Sequence, residues 1–218
     1  MELPAYYAIF VLVVVSFAVI RFAPGLKRRS RLPGFAASHG LRYRGTLPSD
    51  KYEPYKSFVY VGSAVLLFNV MEGRWDDFDV ALFDFSMRSG TCTGVIVSLP
   101  HDYTRFQVIP HDLPLVTQLA VGEQQGMWTR VAPGGSALGS DLIVREAISD
   151  QPASRIGPRT AALLRSGPPG FLETNLGHLF ASPMRQISLE ELPAFLLSVL
   201  PFARALEADA QKGEDRNG

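Results

Sequence analysis

The chain has 218 residues, with 21 basic and 21 acidic side chains and one cysteine, Cys92. A lone thiol excludes an intrachain disulfide and with it a small disulfide-stapled exported module. Hydrophobic residues at 47% against 19% charged exclude wholesale disorder, and the length suits one globular domain.

The zero net charge conceals an uneven distribution. Arg21, Lys27, Arg28, Arg29, Arg31, Arg42 and Arg44 fall in a stretch with no acid, which leaves the remainder from Gly45 onward acidic. A mildly acidic domain is a poor general binder of nucleic acid, and no nucleic-acid partner is expected.

From Leu3 to Ile20 every residue except Ser16 is apolar or aromatic. As a helix this run is roughly 30 Å long, enough to cross a hydrocarbon core. Tyr6 and Tyr7 suit one interface. The positive cluster follows the apolar run, whereas a cleavable signal peptide carries it in front. No polar stripe marks Ile9 to Val15 as a core helix. Residues 1–23 are therefore expected to form a transmembrane anchor, followed by a basic juxtamembrane linker over 24–34. The flanking charge places the N-terminus outside and the rest in the cytoplasm, at the inner membrane if the source is a bacterium.

The soluble part is expected to span 35–210. Residues 35–39 read as a short helix closed by Gly40, 41–44 as extended, and 45–54 as a polar loop. Strand-like runs cover 57–61, 64–71, 77–86 and 94–99, with turns at Gly62-Ser63, Glu72-Gly73-Arg74 and Arg88-Ser89-Gly90. Their short spacing favours an antiparallel meander. A fifth strand is expected over 105–109, a helix over 113–121, and strands over 127–131 and 142–147 around a flexible 132–140 loop. Pro158 suits the first turn of a helix ending near Arg165. Residues 171–175 and 178–181 resemble a hairpin across Gly177. Ser188 and Glu191 form a capping box ahead of Leu189, Leu192, Leu196, Val199, Leu200, Ala203 and Leu206 at helical spacing. Pro201 is expected to kink or split that helix, and 211–218 to be a disordered tail.

The fold class is therefore α+β: an N-terminal transmembrane helix, then a mainly antiparallel sheet domain with a C-terminal helix packed on it. An anchor with a basic flank, Gly40-Leu41-Arg42-Tyr43, and an aromatic, acidic strand over 78–85 together resemble membrane-anchored bacterial proteins. That resemblance implies no active site.

Candidate chemistry is sparse. Asp76, Asp77, Asp79 and Asp84 cluster acids near Trp75, but no calcium-loop pattern surrounds them, and a solvated turn is the simpler reading. Asp84 stands apart: embedded in Leu82-Phe83-Asp84-Phe85, it calls for a partner such as an arginine. His101-Asp102 and His111-Asp112 each follow a proline, and an extended strand between them would hold the histidines roughly 30 Å apart, too far for one metal. His39 and His178 are distant helpers. Gly134 to Ser140 lacks the patterns of a phosphate loop or a nucleophile elbow. Cys92, between Thr91 and Thr93, reads as an inert thiol at a strand edge. No catalytic, cofactor-binding or metal-ligating residue is assigned. The expected function is a membrane-tethered protein-interaction or scaffold module, with the membrane and other proteins as partners. A tethered hydrolase using the acids or the His-Asp pairs is the alternative.

Overall fold

The computed structural model describes residues 28–48, 66–87, 90–103, 105–110, 128–130, 142–147 and 156–214, together with Tyr7, Phe10, Val13, Tyr55, Phe58 and Val61. Of the expected anchor, Tyr7, Phe10 and Val13 are helical and exposed; the rest of 1–23 lies outside the described residues. Among the described residues no helix is long and apolar enough to cross a membrane.

Helix α1 covers 28–38. It therefore reaches seven residues earlier than the expected 35–39 helix and runs through the segment expected as linker, of which only 28–34 is described. Burial explains the extension: Leu32 and Ala36, at helical spacing, are fully buried against the sheet. Gly40 ends the helix at φ 71, the left-handed geometry that favours glycine after a C-terminus.

The described strands are β1 Leu41–Pro48, β2 Leu66–Trp75, β3 Phe78–Met87, β4 Gly90–Ser98, β5 Phe106–Pro110, β6 Trp128–Arg130, β7 Leu142–Ala147, β8 Phe171–Asn175 and β9 His178–Ser182. They form one antiparallel sheet in the order β1-β2-β3-β4-β9-β8-β5-β7-β6. The mainly antiparallel α+β class is as expected. The β8–β9 hairpin turns at Leu176 and Gly177, both at positive φ, as a two-residue hairpin turn favours.

Three local expectations are corrected. β1 runs to Pro48, so 45–48 of the expected loop is strand, and 49–54 lies outside the described residues. The turn expected at Glu72-Gly73-Arg74 is strand, because β2 continues to Trp75 and turns at Asp76-Asp77, with Asp76 at φ 56. Of the strand expected over 57–61, Phe58 lies in a bend and Val61 is helical. Their apolar character serves burial, since Phe58 and Val61 are 1% and 0% exposed. The helix expected over 113–121 and the 132–140 loop lie outside the described residues.

Both faces of the sheet are covered. On one face Leu82, Val95, Val97 and Leu179 pack with Leu32 and Ala36 of α1. Helix α2 (Pro158–Ser166) and helix α3 (Leu192–Glu214) complete that layer through Leu164, Leu192, Leu196, Val199 and Leu200. On the other face Phe83, Phe85, Phe171 and Phe180 gather with Tyr55, Phe58 and Val61. Phe180 lies 5.4 to 6.2 Å from four phenylalanine rings. Gly94 makes room for it, since a Cβ there would come within 2.7 Å of the Phe180 ring.

The capping box forms: the Ser188 amide donates to Glu191 Oε2 at 2.7 Å, and the Glu191 amide to Ser188 Oγ at 3.3 Å. Helix α3 runs through Pro201 as one helix, so of the expected kink or split the split does not occur. The carbonyl deprived of its partner belongs to Leu197, whose side chain is 62% exposed, so water can serve it. The helix also extends to Glu214, into the expected tail. Helix α2 lacks a side-chain cap of its own; Asp209 of α3 supplies one, accepting from the Thr160 amide and hydroxyl, both at 2.9 Å.

Candidate functional site

Asp84, in the second half of β3, is 1% exposed and accepts hydrogen bonds on both carboxylate oxygens. Alternation along β3 sends Leu82 and Asp84 to the helix-covered face and Phe83 and Phe85 to the other. An ionised carboxylate cannot remain in such a place without partners. Its Oδ1 accepts from Arg28 Nη2 at 3.0 Å and from Thr93 Oγ1 at 2.8 Å. Its Oδ2 accepts from Asn69 Nδ2 at 2.8 Å, Gln186 Nε2 at 3.1 Å and Arg28 Nε at 3.4 Å.

Each donor is placed by a different element. Arg28 comes from the first described turn of α1, and its Nη1 also donates to the Ile187 carbonyl at 2.5 Å. Asn69 sits in a β-bulge between Phe68 and Met71 at φ 55, a conformation asparagine tolerates better than most residues. Tyr43 of β1 donates to its Oδ1 at 3.3 Å, which turns the Asn69 amide nitrogen toward the acid. Thr93 faces Asp84 across the β3–β4 ladder, and its hydroxyl also accepts from the Ile187 amide at 3.2 Å. One carboxylate thus joins α1, β2, β3, β4 and the approach to α3. Charge-assisted bonds of this kind are the strong ones, and burial raises the cost of breaking them.

The expectation that Asp84 requires an arginine is met. In the sequence Arg28 reads as one topology charge among several, and nothing local marks Asn69, Thr93 or Gln186 as its companions. Glu173 repeats the signal: an acid after Phe171-Leu172, 0% exposed, with Arg105 Nη2 at 2.7 Å and Nε at 2.9 Å on its Oε1. On the same face Glu72 accepts from the Tyr55 hydroxyl at 2.8 Å and pairs with Arg44 at 3.0 Å. Burial and the Glu72 carboxylate push the Tyr55 hydroxyl well above the usual phenol range. A cavity of about 260 Å³ opens beside Tyr55, Glu72 and Asp79.

The remaining candidates do not converge. Asp76, Asp77 and Asp79 are exposed at and after the β2–β3 turn, where Asp76 pairs with Arg204 of α3. His101 lies beside the β8–β9 turn and near Glu207, whose carboxyl is raised chiefly by burial and lowered in part by His101. His111, Asp112 and the 134–140 glycines lie outside the described residues. His39 stacks between Phe35 at 4.2 Å and Trp75 at 5.0 Å. No group of three metal-ligating side chains occurs among the described residues.

Cys92 lies inside β4 and not at its edge, 2% exposed, and burial with the Asp84 charge pushes its thiol up to about 11. The thiolate is then scarce at neutral pH. A thiol-reactive dye should label the native chain only at the rate of unfolding; fast labelling without denaturant would contradict the burial.

No family model and no curated protein matches the chain. Among solved structures it is similar to the crystal structure of the mycobacterial trehalose monomycolate transport factor A, TtfA. The likeness has a TM-score of 0.54 at 15% identity and covers 82% of this chain and 93% of that one. At that identity the fold is what the two share.

Proposed function

We propose that this chain is a membrane-tethered, non-enzymatic interaction module whose domain lies in the cytoplasm, fixed close to the bilayer by the Arg28–Asp84 contact. The observation that carries the reading is that Arg28, which follows directly on the apolar and basic N-terminal run, is bound into the domain through a buried acid. The carboxylate of Asp84 is occupied by five donor atoms, so it acts as a counter-ion and not as a free acid or base. The tethered-hydrolase alternative thereby loses its most buried acid. Helical, exposed Tyr7, Phe10 and Val13 suit contact with lipid. A part in transport is the more specific form of the reading, suggested by the name of the structural neighbour alone.

Membranes washed with alkaline carbonate should retain the full chain, and cross-linking in the membrane before detergent extraction should yield it in stoichiometric complex with another protein. A C-terminal reporter active only outside the cytoplasm should stay silent. Release by carbonate, or extraction only as a lone monomer, would defeat the proposal.

A further inference from the structure

The sheet has two ends, and the chain path distinguishes them. One end carries the β3–β4 connection, the start of β2 at Leu66 and the Asp84 cluster with Arg28. The other carries the Asp76-Asp77 turn, the β8–β9 turn with Leu176, and His101-Asp102. The length of β4 separates the two ends by about 27 Å, and the Asp84 cluster, level with Thr93, lies about 10 Å in from the first. Helix α1 leads from the first end, where Arg28 is bound, to the second, where His39 stacks on Trp75.

We infer that the Arg28 end of the domain rests on the anionic lipid surface and that the Asp76–Leu176 end points away from it. The inference depends on the tether proposed above and adds which face the bilayer covers. Between Ala23, the last residue of the apolar run, and Arg28 there are only the four residues 24–27. Even fully extended, that connection spans at most about 18 Å, so Arg28 stays within about 18 Å of the hydrocarbon edge. Charge decides between an upright domain and one lying flat. Arg29 and Arg31 are exposed on α1, and Arg185 beside them is 60% exposed; they stand against Glu190 and Glu191. At the far end Asp76, Asp77, Asp79 and Asp102 are exposed and outnumber Arg42, Arg74 and Arg204. An anionic surface attracts the first end and repels the second. Leu66, 39% exposed and two residues beyond Phe68, the cross-strand partner of Asp84, offers an apolar contact at the near end.

The test uses the full chain in vesicles of phosphatidylcholine and phosphatidylglycerol that also contain a headgroup-nitroxide lipid. In a Cys92→Ala background, a fluorophore is attached at Leu66→Cys, Ser30→Cys or Leu176→Cys. Quenching at Leu66 and Ser30 should exceed that at Leu176 severalfold. Equal quenching at both ends, or stronger quenching at Leu176, would overturn the orientation while leaving the tether intact. A chain that fails to float with the vesicles would overturn the tether itself, and the orientation with it. Should Leu66→Cys fail to fold, the exposed Ser30 position reads the same end.

Discussion

Asp84→Ala should lower the folding stability of the full chain in detergent by about 3 to 5 kcal/mol, a large part of what holds a domain of this size. The loss has two sources. Arg28, 12% exposed, would keep a charge without its partner, and the donors on Asn69, Thr93 and Gln186 would lose their acceptor together. Arg28→Ala should cost less, about 2 kcal/mol, since three neutral donors would still face the carboxylate. A double Arg28→Met, Asp84→Leu variant should not recover stability as apolar replacement of a simple buried pair often does, because Asn69, Thr93 and Gln186 would remain unsatisfied. Denaturant midpoints of the single and double variants measure this directly. A double variant as stable as the parent would show that the pair is isolated and not the centre of a network.

Leu196→Ala should be nearly as damaging, by about 2 to 5 kcal/mol, because Leu196 is 0% exposed between α3 and the sheet and its removal leaves a cavity. Leu197→Ala, one residue on but 62% exposed, should change stability by less than about 0.5 kcal/mol. The pair controls for helix propensity, so the difference reports packing alone. Thermal melts of the two variants give the comparison, and similar losses in both would mean that α3 is not a core element.

How much of this was legible depends on the range of the interaction. Runs rich in valine, phenylalanine, leucine and isoleucine marked β3 and β4, and the Ser188/Glu191 box with its leucine spacing marked α3, because those signals lie within a few residues of one another. Phe58 and Val61 misled because residues that favour strands also favour any buried position. Gly73 looked like a turn but serves close packing: a Cβ there would lie 3.0 Å from the Gly40 carbonyl oxygen. The need of Asp84 for a cation could be read locally from its apolar neighbours. Its answer could not, since Arg28 is 56 residues away and sits among basic residues that a topology signal already explains. Glu173 carried the same local signal and could have been found by the same argument. Asn69, Thr93 and Gln186 are ordinary polar residues until a bulge, a strand pairing and the approach to α3 bring them to one carboxylate.

The direct test of the account is hydrogen exchange of helix α1 in the membrane-embedded full chain, with and without Arg28→Ala. If the Arg28–Asp84 contact fastens this helix to the sheet, the amides of Leu32 and the residues after it should be strongly protected in the parent. In the variant they should exchange severalfold faster, while β3 and β4 keep their protection. Unprotected α1 amides in the parent, or protection unchanged by Arg28→Ala, would contradict it.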